Sequence, residues 1–148
     1  MEKITFLSLV ISLIIGSCAK QESKFPQGAW KNVLSQMIKT DSSGKVTSVD
    51  YPVVFTKMWS EKNFSFIGQY KQDTIMRDFY GGGTYELKGN RYDEFEIYHF
   101  SKPGSVLNIH NKMLLELRND TLIQSYPVDD NGQGIKKNYY VEKYIRLK

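Results

Sequence analysis

Gly81-Gly82-Gly83-Thr84-Tyr85-Glu86-Leu87-Lys88-Gly89-Asn90-Arg91-Tyr92-Asp93-Glu94-Phe95-Glu96-Ile97-Tyr98-His99-Phe100 reads as two extended segments joined at Gly89-Asn90. These two residues tolerate positive φ, which a tight two-residue turn between right-twisted strands requires. Pairing across the turn sets Lys88 against Arg91, Leu87 against Tyr92 and Tyr85 against Glu94. Side chains alternate along a strand, so Tyr85, Leu87, Tyr92, Glu94, Glu96 and Tyr98 are expected on one surface. That surface is aromatic and carries two carboxylates. The opposite one, with Thr84, Glu86, Lys88, Arg91 and Asp93, begins as a solvated face and turns apolar at Phe95 and Ile97.

The same pattern recurs on both sides of this hairpin. Gly28 to Ile38 reads as a first strand ending at the turn cluster Asp41-Ser42-Ser43-Gly44. Tyr51 to Trp59 is β-branched and aromatic, Ser60 to Asn63 is a polar turn, and Phe64 to Tyr70 is a third strand. Lys71 to Tyr80 lacks a clean period and is expected to be a loop closing one mouth of the structure. Beyond Ser101-Lys102-Pro103-Gly104, the segment from Ser105 to Asn111 reads as linker. Lys112 to Arg118 and Thr121 to Tyr126 form a second hairpin about Asn119-Asp120. Pro127 to Gly134 is a polar loop, and Lys137 to Leu147 is the last strand.

This makes eight strands, and aromatic residues at 14% of the chain favour strands over helices. The expected fold class is all-β: a single antiparallel, mainly up-and-down barrel. Eight strands are the number that closes a sheet around one small ligand, and closure removes the exposed edges. An open sandwich is the alternative. A chain of 148 residues supports one core. Its net charge of +4 comes from 20 basic and 16 acidic residues that are scattered, with Lys136-Lys137 the only adjacent basic pair. A nucleic-acid footprint needs a clustered patch, so no nucleic-acid partner is expected.

Ahead of the strands, Met1 to Lys3 is a short polar start and Ile4 to Ile15 is an apolar run. Twelve residues at helical rise span only about 18 Å, against roughly 30 Å of hydrocarbon, so a secretion signal fits better than a transmembrane helix. Ile15-Gly16-Ser17-Cys18 then resembles the lipobox of bacterial lipoproteins, in which the Cys is acylated and becomes the new N-terminus. Cys18 is the only cysteine, so it has no internal disulfide partner. The alternative is a leftover cysteine in a discarded signal peptide. The expected organisation is residues 1–17 as signal peptide, 18–27 as lipidated Cys18 and polar tether, and 28–148 as the barrel. Acyl chains on Cys18 would hold the protein at a membrane. With no Asp after Cys18, the resemblance implies the outer membrane, on its periplasmic or exterior side.

Gly28-x-Trp30, Phe64-Ser65-Phe66, Gly82-Gly83-Thr84-Tyr85, Gly89-Asn90, Tyr92-x-Glu94, Asp120-Thr121-Leu122 and Val141 to Leu147, in that order, resemble the lipocalin-like domains of small secreted bacterial proteins within the calycin group. The resemblance implies that Trp30 plugs one end of the barrel and Arg146 packs over its ring. It also implies a small, partly apolar ligand in the lumen. Lipocalins proper add a helix beside the barrel, and no amphipathic helix of that length is written between Tyr126 and Lys148.

The candidate ligand wall is Phe66, Tyr85, Tyr92, Glu94, Glu96, Tyr98 and Tyr126, within an aromatic set that includes Trp59 and Tyr70. Tyr offers an apolar ring with a hydroxyl that orients a ligand. The competing reading is that these rings fill a solid core and that the loops meet a partner. Glu94 and Glu96 would lie roughly 7 Å apart at strand spacing, compatible with hydrolytic acid and base roles. No nucleophile–base pair accompanies them, so no catalytic residue is assigned. His99 and His110 lack metal-ligand spacing; no metal or cofactor is expected. Gly81-Gly82-Gly83 opens a strand rather than a helix, which excludes a phosphate loop and points to a bulge.

Overall fold

The computed structural model describes residues 27–129, 131–132 and 134–148. The signal-peptide, lipobox and tether assignments of residues 1–26, Cys18 among them, lie outside the described residues. The chain forms β1 (Gly28–Thr40), β2 (Val46–Asp50), β3 (Val53–Trp59), β4 (Asn63–Gln72), β5 (Ile75–Lys88), β6 (Arg91–His99), β7 (Ile109–Arg118), β8 (Thr121–Val128) and β9 (Ile135–Arg146). All pair antiparallel in up-and-down order, and β1 closes on β9 to make an eight-stranded barrel. The ninth segment does not widen it. β3 pairs with the first residues of β1, Gly28 to Lys31, while β2 pairs with its far half, Gln36 to Thr40, so the two share one position in the wall. The break falls at Tyr51-Pro52, where proline has no amide to give the ladder.

The β5–β6 hairpin has the register that Gly89-Asn90 demands: Lys88 opposes Arg91, Leu87 opposes Tyr92 and Tyr85 opposes Glu94. Gly89 itself sits at φ 66°. The seam between β1 and β9 runs from Trp30–Arg146 to Ile38–Tyr139, with a bulge between Asn32 and Leu34. The buried Asn32 side chain serves that bulge, donating to the Leu34 carbonyl at 3.1 Å and accepting from Ser35 Oγ at 3.2 Å. These side-chain bonds stand in for the interrupted ladder.

Three stretches differ from the sequence expectation; one is the linker expected from Ser105 to Asn111, whose last three residues begin β7 and pair with Glu94, Phe95 and Glu96. Lys71 to Tyr80 is not a loop: Lys71 pairs with Met76 and Gln72 with Ile75, so β4 and β5 continue as a hairpin about Asp73-Thr74. Asp73 makes the tight turn at φ 56°, a left-handed conformation that Asp tolerates better than most residues, so no glycine marks it in the sequence. Residues 46–50, given no assignment from the sequence, form β2.

The glycine run is where strands crowd. A Cβ on Gly81 would stand 2.3 Å from Phe66 Cζ, and one on Gly83 would stand 1.9 Å from the Phe95 carbonyl oxygen. The register of β5 on β6 shifts between Gly82 and Gly83, so the bulge lies at the point of closest approach. Gly83→Ala is expected to lower unfolding free energy by about 1–3 kcal/mol, through overpacking against backbone. Gly89→Ala, with open space around it but positive φ, should cost about 1–2 kcal/mol. Urea denaturation of both variants checks this ordering.

Candidate functional site

The barrel interior divides along its axis. At the end where β1 starts, Trp30 is fully buried and the Arg146 guanidinium lies 4.5 Å from its ring centroid. Arg146 Nη1 also donates to the Gln27 carbonyl at 2.8 Å. Trp59 Nε1 donates to the Tyr92 hydroxyl oxygen at 2.8 Å, and the Tyr85 hydroxyl is shared between the Ser60 and Glu61 carbonyls at 2.7 and 2.9 Å. With Phe64 and Leu122, these rings plug this end.

Above the plug lies a buried ion pair. The Lys57 ammonium donates to Glu94 Oε1, and both side chains are almost wholly buried. Gln124 lies 3.4 Å from each partner, offering its oxygen to Lys57 and its amide to Glu94. The ammonium also faces the rings of Phe64, Trp59 and Tyr92 at 5.0, 5.2 and 5.8 Å. A buried charge is tolerable only when paired and hydrogen-bonded, and this one has an anion, an amide oxygen and three aromatic faces.

Beyond the pair the barrel is hollow. A cavity of about 230 Å³, open towards the other end, has Lys57 and Glu94 at its floor and Phe55, Phe66 and Phe79 on one wall. Glu96, Asn111, Tyr126 and Glu142 line the other side. Phe79 packs 4.8 Å from Phe66 and 5.2 Å from Phe100, and His99 lies 4.3 Å from Phe100, so aromatic rings rim the mouth. His99 is also joined to Ser101 Oγ at 2.7 Å, while His110 stacks on Phe95 on the outside, 4.5 Å between centroids.

Among the described residues, no cation is bonded to two of the carboxyls in the hollow half. Glu96 accepts from Asn111 Nδ2 at 3.0 Å. Glu142 accepts from the Tyr126 hydroxyl at 3.0 Å and from the Tyr144 hydroxyl on its other oxygen. Burial pushes the Glu96 carboxyl above its ordinary value, aided by the nearby Glu94 charge and opposed by Lys57. Burial likewise raises Glu142, against Lys57 and its two tyrosine donors. The Tyr126 and Tyr144 hydroxyls are held far above their usual range, by burial first and by Glu142 second.

Of the residues picked from sequence for the ligand wall, Phe66, Glu94, Glu96 and Tyr126 line the cavity. Tyr85 and Tyr92 belong to the plug. Tyr98 is 47% exposed and lies outside the barrel, its hydroxyl over Gly82, because the bulge opposite Gly82-Gly83 inverts the faces of β6 beyond Glu96. Lys57 and Glu142 were not singled out, although the pattern contains them. Lys57 stands in phase with Phe55 and Trp59, and Glu142 in phase with Tyr140 and Tyr144, so each puts a charge on an apolar face. Glu94 is engaged by Lys57, and Glu96 by Asn111, which leaves them in different surroundings.

Removing one member of the buried pair strands the other. Glu94→Gln or Lys57→Met should each cost about 3–5 kcal/mol, while the double replacement should recover much of that loss. Denaturant titration of the four proteins gives the coupling energy. The raised carboxyls also carry a sign. A group whose value is higher folded than unfolded stabilises fully below its unfolded value, here 4.5, and that contribution drains away as pH rises through the folded value. His99, held below 6.5 by burial, acts in the opposite sense. The diagnostic is therefore a difference: Glu142→Gln should match wild-type thermal stability near pH 5 and exceed it at pH 7.5.

No protein-family model matches this sequence, and none of the curated proteins matches it. The geometry of the barrel is what bears on its function.

Proposed function

We propose that this protein is a lipid-anchored lipoprotein of the cell envelope whose lipocalin-like barrel takes one small, partly apolar ligand through its open mouth. The observation that carries the reading is the contrast between the two halves of the lumen. One is filled by Trp30, Trp59, Tyr85 and Tyr92. The other keeps an aromatic-walled space of about 230 Å³ above a floor of charged and amide groups. An engineered cavity of roughly 150 Å³ holds a benzene molecule, so this space is of a size for a single substituted ring. Apolar walls with a few converging polar groups are the usual make-up of a small-molecule site. Phe66, Glu96 and Tyr126 of the wall expected from sequence are proposed contacts, joined by Phe79 and Glu142.

The anchor reading rests on Ile15-Gly16-Ser17-Cys18 at the end of the apolar run. It fits the barrel in one respect. Gly28 begins β1 at the plugged end, so a tether from Cys18 would join there, and the mouth lies at the opposite end of the strands. The ligand would then arrive from the aqueous side. The outer membrane is the proposed location.

Two measurements test this. Wild type expressed in a bacterium with lipoprotein processing should partition into the detergent phase of a Triton X-114 extraction, and Cys18→Ser should move to the aqueous phase; aqueous partitioning of both removes the anchor. Native mass spectrometry of the purified barrel should show a bound small molecule that is reduced in Phe79→Trp, where the larger ring fills the cavity. Persistent absence of any adduct favours the solid interaction module.

A further inference from the structure

The hollow half of the barrel holds more negative groups than positive ones. Among the described residues, Lys57 is the only lysine or arginine lining it, and it is bonded to Glu94 and Gln124 and flanked by three ring faces. Glu96 and Glu142 line the same space. Their bonds, from Asn111 and from two tyrosines, are neutral donors. An ionised carboxylate moved out of water into such surroundings is costly unless a cation joins it.

Among the described residues, an anionic ligand would find no lysine or arginine in this space but the engaged Lys57, and a wholly apolar one would leave the two carboxylates desolvated. A metal ion is a poor match as well. Among the described residues, no three His, Cys, Asp or Glu side chains converge as ligands. The remaining walls are the rings of Phe55, Phe66 and Phe79, whose faces attract positive charge and whose area suits an apolar body.

Building on the ligand-binding reading above, we infer that the barrel is a receptor for a small organic cation. It would take an ammonium group on an aromatic or short apolar body, the nitrogen lying between Glu96 and Glu142 and the body against Phe66 and Phe79. One ring with a two-carbon ammonium arm is of the size the cavity holds. The charged and titratable groups facing the bound nitrogen are Glu96, Glu94 and His99 on β6, Lys57 on β3, Tyr126 on β8, and Glu142 and Tyr144 on β9. The two carboxyls already stand above their usual range. Acidification would protonate them and release the ligand, whereas the cation, with an amine pKa well above neutrality, would keep its charge.

The test is calorimetric titration of the purified barrel with three probes of nearly equal size: phenethylamine, 2-phenylethanol and phenylacetate. At pH 7.5 phenethylamine should bind at least tenfold more tightly than 2-phenylethanol, with phenylacetate weakest. At pH 5 that preference should shrink several-fold. Glu96→Gln, near the mouth and outside the plug, should erase most of the preference without loss of the circular dichroism spectrum. Glu142→Gln is the second variant should the first misfold. Equal binding of amine and alcohol at pH 7.5 overturns the cation inference while leaving a ligand site. Binding of none of the three overturns the inference and the ligand-binding reading together.

Discussion

The buried contact between Lys57 and Glu94 is the hinge of this molecule's architecture. It lies across the lumen between a plugged end and a hollow one, and each side depends on it differently. Towards the plug, the ammonium gives Phe64, Trp59 and Tyr92 a cation to face, so the rings pack around charge instead of around empty space. Towards the mouth, the pair forms a polar floor that apolar side chains cannot cover without stranding it. A barrel of eight strands has room to be filled entirely by side chains or to hold one small ligand. Here a desolvated pair halfway along the axis stops the filling.

Closure of the wall is what makes such a pair possible. β3 and β6 are not neighbours in the sheet, and only their position across the lumen lets Lys57 reach Glu94. The seam between β1 and β9 brings the first and last strands together and sets Arg146 over Trp30. The glycine run contributes from the other side. With no Cβ at Gly81, the tip of the Phe66 ring comes up against β5, where the ring becomes part of the cavity wall. A stretch that looks like a weak point in a strand is the place where backbone and ring approach most closely.

The sequence resemblance to lipocalin-like domains agrees with the closed eight-stranded barrel, which is as far as the fold alone carries it. The chemistry inside belongs to particular side chains. Three carboxyls, one lysine, one amide and a set of rings converge from β3, β4, β5, β6, β7, β8 and β9. The preference proposed here for a positively charged guest rests on this count and on burial.

What the sequence determined by itself is local. Gly89-Asn90 and Asn119-Asp120 specify two tight turns, and alternation then specifies register, so that Leu87 opposes Tyr92 and Leu117 opposes Leu122 before any long-range contact forms. The all-β class follows from the same short-range rules, although β2 carries no such signal. Where a turn uses Asp73 in place of glycine, the sequence carries no turn signal, and the β4–β5 hairpin is not legible from it. Tertiary structure decided the rest. Strand alternation says that Lys57 shares a face with Phe55 and Trp59, but not that Glu94, 37 residues away, stands opposite. Alternation also put Tyr98 inside, until the bulge at Gly82-Gly83, set by the crowding of three strands, turned it out. Which tyrosines plug the barrel and which line its hollow depends on height along a closed wall, and that height exists only once the last strand has met the first.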